Sequence, residues 1–143
     1  PLETVGTDPL YAELIAESGL HGWFNASWFA ADGVTRATPE LVYVAPPLDG
    51  VWATAPYFHN GSVPTLDAVI DSSKRPTRWR RSFDDADYTL DPPGWRYEVV
   101  GPDEADRRTY DTTIPGYGNG GHTFGDDLSD ADRRALLEYL KTM

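Results

Sequence analysis

The 143-residue chain contains no cysteine. Disulfides, thiolate metal sites and any cofactor held by the chain's own thioether are therefore excluded. Histidine is nearly as scarce, being limited to His21, His59 and His122. A zinc site would need three or four ligands from these and from carboxylates, and no H-x-x-x-H pairing supports one. The single methionine is Met143. No run of about 18 apolar residues occurs, so no membrane span is expected. Positive charge is also short: 12 Lys and Arg stand against 23 Asp and Glu, for a formal charge of −11 and a pI near 4.5. That balance argues against nucleic acid and anionic membranes, and favours a basic protein partner or an exported protein. Position 1 is proline, with no charged n-region, apolar h-region or cleavage site after it, so the chain is expected to be a mature, trimmed or proteolysed product. Its length suits a single domain over 1–143 that buries roughly two thirds of its unfolded surface.

What is present is concentrated in one stretch, P-P-L-D-G-V-W-A-T-A-P-Y-F-H-N-G-S-V-P-T-L, from Pro46 to Leu66. It follows neither helical nor strand periodicity, so turns must shape it. Pro47, Pro56 and Pro64 fix their own φ and push the preceding residues toward extended conformations. Asn60-Gly61 is a turn signal directly after His59. The expectation is an ordered, mostly buried loop that aims Trp52, Tyr57, Phe58 and His59 in set directions, as a cofactor wall would. Ser62 lies close to His59, but no G-x-S-x-G elbow accompanies it, which leaves a Ser-His-Asp hydrolase weak.

Elsewhere the signals are local. Asp8-Pro9 opens a helix as N-cap and N1 and Gly19 closes it at C′. Trp23, Phe24, Trp28 and Phe29 follow within H-G-W-F-N-A-S-W-F-A and are expected to form a hydrophobic plug in preference to a direct cofactor contact. Leu41 to Val44 reads as a brief extended piece without visible chemistry. Thr65 caps a helix that presents Leu66, Val69 and Ile70 and ends near Asp71. Lys74, Arg75, Arg78, Arg80 and Arg81 supply nearly half of the 12 basic residues, and ion pairs with the following Asp84-Asp85-Ala86-Asp87 are expected ahead of the alternative, anchoring of a cofactor's carboxylates. One strand is predicted over 96–100. Gly116, Gly118, Gly120 and Gly121 allow close backbone approach just before His122. Ser129 and Asp132 form a capping box for a last helix whose apolar face is Leu136, Leu137, Leu140 and Met143.

The segment V-W-A-T-A-P-Y-F-H-N-G-S-V-P-T-L resembles a segment of the di-haem cytochrome c peroxidase superfamily, nearest to its rubber-oxygenase-like branch. G-N-G-G-H-T-F-G-D-D-L-S-D-A-D-R-R-A-L-L-E-Y-L-K-T-M, from Gly118 on, resembles the closing motif of the same proteins. The resemblance implies a mainly α, cytochrome c-like domain of short helices with long ordered loops and one or two short strands. It identifies the chain as similar to the C-terminal, haem-capping half of such a protein. Haem c attachment requires C-x-x-C-H, which is missing here. Either that motif sits on another segment or chain, or haem has been lost, or haem is held without a covalent bond.

On the same resemblance, His122 corresponds to an axial ligand of haem iron, and His59 to a histidine beside haem and the inter-haem path. Trp52, Tyr57, Phe58 and Phe124 would complete the cofactor contacts. With Met143 at the far terminus, bis-His ligation is the implied state, suited to electron transfer. The implied partners are a haem-bearing N-terminal polypeptide or companion chain and a redox partner protein, in a periplasmic or extracellular setting. If the whole is an enzyme, it is a di-haem oxidoreductase of peroxidase or dioxygenase type. The alternative is a haem-free structural or interaction module that keeps the cytochrome scaffold.

Overall fold

A computed structural model describes residues 2–143. Its first elements follow from local capping. A single turn, α1 (Leu2–Val5), ends at Gly6 in the left-handed region with φ 67°. Asp8 Oδ1 then accepts the N–H of Leu10 at 3.0 Å and starts α2 (Leu10–Glu17). Gly19, at φ 72°, lets the chain leave α2 and begin α3 (Leu20–Ala26) at once. The aromatic cluster after His21 is not a buried plug. Trp23 and Trp28 remain 61% and 77% exposed. These rings satisfy one another instead, with Trp28 stacked on Phe29 at 3.9 Å and Phe24 on Phe29 at 5.7 Å.

The fold is mixed α/β, which overturns the mainly α expectation. Helical residues make up 35% of the chain and strand residues 13%, and only three helices reach seven residues. Strand β1 (Arg78–Arg81) lies inside the basic cluster, β2 (Tyr88–Leu90) and β3 (Pro93–Trp95) form a hairpin, and β4 (Tyr97–Val99) and β5 (Tyr110–Asp111) flank β1. The three-stranded sheet has the order β4-β1-β5 and is antiparallel throughout, with Trp79 opposite both Val99 and Tyr110. Of these strands only β4 matches a predicted one. The others escaped because β1 alternates a single buried tryptophan with arginines, and because Pro93-Gly94, a turn signal in isolation, sits within β3. Gly94 is needed there for packing: a Cβ would meet the carbonyl of Pro64 at 2.5 Å, where Thr65 bridges to the same glycine.

The sheet also redirects the basic cluster. Arg78 pairs with Asp111 at 2.7 Å, and Arg80 with Glu98 at 2.7 Å and Asp106 at 3.0 Å, all on neighbouring strands or the loop between them. Lys74 reaches back to Asp67 at 3.3 Å. None of these uses 84–87, because antiparallel pairing places residues 98–111 beside β1. Such partly exposed pairs contribute little stability.

The core gathers Tyr57, Val63, Leu66 and Ala68, with Leu66 and Ala68 on α4 (Leu66–Ile70). Leu137 and Leu140 of α5 (Asp130–Leu140) pack against this group. Ser129 caps α5 as predicted, its Oγ accepting the N–H of Asp132 at 3.2 Å. Trp79 donates its indole N–H to the carbonyl of Ser62 at 3.1 Å and locks the sheet onto the loop. Only part of the 46–66 stretch is buried, however. Residues 62–66 are sealed in, whereas 46–49, Ala53, Thr54 and His59 are exposed.

Candidate functional site

The two histidine loops owe their shape to backbone strain that is paid for by polar clamps. Tyr57 and Val63 form an antiparallel bridge, the N–H of Tyr57 donating to the Val63 carbonyl at 2.7 Å, so residues 58–62 project as a tight tip. Phe58 at the start of that tip has φ 67°, and His122 in the second loop has φ 50°. The left-handed region costs a non-glycine residue about 1–2 kcal/mol, so surrounding contacts must hold both.

For the first loop the clamp is Asn60. Its side-chain amide donates to the carbonyls of Gly116 and Gly118 at 3.2 and 2.8 Å, and its own carbonyl accepts the Tyr110 hydroxyl at 2.7 Å. Asp8 grips the same 116–118 segment from the other side, Oδ2 accepting the N–H groups of Gly116 and Gly118 at 3.0 and 3.1 Å. Burial pushes the Tyr110 phenol up to about 12, so it stays protonated as a donor.

For the second loop the clamp is Arg75. Its five N–H donors are all consumed by backbone carbonyls: Ala68 and Val69 at the end of α4, and Asn119, Gly121 and His122 in the glycine loop, at 2.6 to 3.2 Å. A guanidinium saturated in this way is unavailable to an external anion. The N–H of His122 donates to Val5 at 2.9 Å. Gly121 lies on the backbone of Val5, Gly6 and Thr7, where a Cβ would meet the Thr7 nitrogen at 2.5 Å. Gly118 likewise abuts the Asp8 carboxylate and Gly116 the Leu10 side chain. These glycines therefore serve close contacts with the chain's own N-terminal segment, and the structure shows no need for a macrocycle to explain them.

The clamps bring the rings together. Phe58 lies with its ring centre 4.4 Å from that of His122 and under the Arg75 guanidinium at 4.9 Å. His59 stacks on Tyr43 at 4.0 Å, and the Tyr43 hydroxyl donates to the Asp8 carbonyl at 3.0 Å while accepting the Ala12 N–H at 3.2 Å. Burial, the Arg75 charge and the His59 charge all lower the His122 pKa. Partial desolvation lowers that of His59, opposed by Asp8. Both imidazoles are thus neutral near pH 7, the form that ligates metals.

Of the residues singled out in the sequence, His122, His59 and Phe58 share this site. Tyr57 turns inward, 7% exposed, and its hydroxyl donates to the Val51 carbonyl. Trp52 is tied to β2 through its carbonyl, which accepts the Tyr88 hydroxyl at 2.6 Å. Phe124 stands 71% exposed. In the sequence Tyr43, Asp8 and Asn60 carry only the signals of extended chain, helix cap and turn, and Arg75 belongs to a basic cluster expected to pair with acids ahead of anchoring a cofactor's carboxylates. The Asn60-Gly61 signal located a turn, but no local pattern could name the carbonyls that its side chain meets.

Residues 42–80 match the family model of RoxA-like, cytochrome c-like proteins. The match supports a cytochrome-related role and an association with haem in general terms. It takes in Tyr43, Phe58, His59 and Arg75, and stops short of the His122 loop. The chain is also similar to two uncharacterized proteins of Sinorhizobium fredii (strain NBRC 101917 / NGR234). One, y4iJ, is 39% identical over 114 residues, covering 72% of this chain and 18% of that protein. The other, y4iM, is 36% identical over 127 residues, covering 75% of this chain and 29% of that protein. The chain therefore spans less than a third of either relative.

Among the described residues no group of three or more His, Asp or Glu could hold a free metal ion. The RoxA-like segment and the His122 loop offer single neutral imidazoles flanked by aromatic rings. That donor set fits a metal already held by a macrocycle, where one imidazole completes the coordination.

Proposed function

We propose that this chain caps a haem in an exported multi-haem c-type cytochrome, with His122 as the distal axial ligand and His59 beside the cofactor. The observation that carries the reading is a neutral, half-buried His122 imidazole held in a left-handed conformation against Phe58 by Arg75 and Val5. A bound haem would supply one-electron redox chemistry. The chain's own residues do the rest: burial, helped by the Arg75 charge, favours an uncharged His122, Arg75 holds its loop in place, Phe58 packs against the ring, and Tyr43 stacks on His59. Because the chain contains no cysteine, the thioether attachment belongs to another segment or a companion chain. Electron transfer to a redox partner is the proposed role, within a protein of the periplasm or the extracellular space. The whole protein, where enzymatic, would be a di-haem oxidoreductase of peroxidase or dioxygenase type.

A haem-free scaffold is the second reading. It is favoured by the self-sufficiency of the glycine loop, where the close approaches at Gly116, Gly118 and Gly121 are all with residues 5–10. Two measurements separate the readings. The native protein, isolated from its source, should show a Soret band that stays with a cysteine-bearing polypeptide on denaturing gels. In haem-loaded protein, His122→Asn, which tolerates the left-handed backbone, should turn one low-spin haem high-spin or water-ligated, with His59→Ala perturbing it less and His21→Ala not at all. Haem-free native material, or an intact low-spin spectrum in His122→Asn, rules the first reading out.

A further inference from the structure

Away from the histidine loops, a groove along the β1–β4 pair is lined by Arg80, Arg81, Arg96 and Arg108. In a chain of formal charge −11, this lining carries four arginines against one glutamate, and the register that sets Arg81 opposite Tyr97 and Arg80 opposite Glu98 sends these two arginines to opposite faces of the pair. The four are not equivalent. Arg80 is committed to Glu98 and Asp106, and Arg108 to Asp106. Glu98 is the one acidic residue in the lining, and it is already paired.

Arg81 differs in kind. Its guanidinium lies over the Trp95 ring at 4.1 Å and the Phe83 ring at 4.6 Å, and among the described residues it has neither an ion-pair nor a hydrogen-bond acceptor. Contact with aromatic rings occupies the planar faces of a guanidinium and leaves the N–H edge free to donate. The side chain is half-buried, and contact with the two rings restrains it before anything binds. Arg96, also without an acidic partner among the described residues, adds a second charge to the same groove. Ser82 Oγ accepts the Asp84 N–H at 3.0 Å, which leaves its own hydroxyl hydrogen to donate. Tyr97 contributes a phenol whose pKa is raised by burial and by Asp67, and which therefore remains a donor.

We propose that this groove is a binding site for an oxyanion, the carboxylate or phosphate group of a larger ligand, with Arg81 as its pre-oriented fork and Arg96 as a second cation. Two parallel N–H···O bonds from one guanidinium match the two oxygens of a carboxylate or phosphate, and the fixed plane lowers the entropy lost on binding.

The test follows Arg Nε–H resonances of the 15N-labelled protein during titration with sodium phosphate and, separately, sodium succinate, with sodium chloride holding ionic strength constant. Saturable shifts at Arg81 and Arg96 are expected. Arg81→Lys should weaken binding about tenfold or more, because an ammonium cannot form the fork. Arg96→Gln, at an exposed position where folding is safe, should weaken it several-fold. Saturation by phosphate alone points to a phosphorylated ligand, by succinate alone to a carboxylate ligand, and by both to the shared chemistry. Shifts that rise linearly with either salt, or binding unchanged in Arg96→Gln, overturn the proposal, and Arg96→Gln decides it should Arg81→Lys fail to fold.

Discussion

Arg75 offers the sharpest test of how the candidate site is held. Arg75→Met keeps most of the aliphatic stem and removes five donors from five backbone carbonyls. A net hydrogen bond contributes about 1 kcal/mol, so the loss would reach about 5 kcal/mol were every carbonyl left dry. The glycine loop is free to open and let the Asn119 and His122 carbonyls reach water, which brings the expected destabilisation to about 3 kcal/mol. Removing the cation over Phe58 adds about 0.5–1 kcal/mol. Urea unfolding followed by tryptophan fluorescence measures the sum. Arg75→Lys retains the charge but serves at most three acceptors, so it should fall between wild type and Arg75→Met. The same variants separate packing from electrostatics at His122. Its pKa, lowered in part by Arg75, should rise in Arg75→Met and stay close to wild type in Arg75→Lys, as read from imidazole proton shifts. An Arg75→Met protein within about 1 kcal/mol of wild type, or an unchanged His122 titration, would refute the clamp.

Further outcomes follow from the same contacts. Gly121→Ala forces a Cβ against the Val5–Thr7 backbone at φ 72° and should cost about 2–4 kcal/mol in urea unfolding, whereas the same change at Gly33, where nothing lies within 4 Å, should cost only the left-handed strain of about 1–2 kcal/mol. Equal costs at the two glycines would contradict the close approach. The pKa values of His59 and His122 are both lowered from 6.5, so the unfolded chain takes up protons first; stability is full above about pH 6.5 and declines as the pH falls through the folded values. Unfolding midpoints measured from pH 7.5 down to 5 should show that decline, and it should flatten in His122→Asn. At lower pH a second loss is expected. Hydrogen bonds from Thr113, with Arg78 beside them, hold Asp111 at about 2 against an ordinary 3.8, so its contribution is present above pH 3.8 and is lost as the pH falls toward 2. Asp111→Asn should remove part of that dependence.

How much of this was legible in the sequence depends on the reach of each interaction. The Asp8 acceptor ahead of α2, the left-handed Gly19, the Asn60-Gly61 turn and the Ser129 N-cap each involve residues within about four positions, and all appear where the sequence places them; the reciprocal half of the capping box does not form, since the Asp132 carboxylate accepts the Ser129 hydroxyl and not its N–H. Lack of cysteine alone excluded covalent haem attachment by this chain, and the 46–66 stretch announced an aperiodic loop around His59. The strands around β1 were illegible for the opposite reason. Four residues reading Arg-Trp-Arg-Arg become a strand because 97–99 and 110–111 pair with them from either side.

The sequence by itself determined the caps, the turns, the acidic surface and the identity of the three histidines. Tertiary structure alone decided which of them share a site, since that depends on side chains meeting backbone far along the chain. Arg75 reaches Asn119 and His122 across 44 and 47 residues, and Asp8 reaches Gly116 and Gly118 across 108 and 110. A residue's type states how many hydrogen bonds it can make, and only the folded chain states with whom.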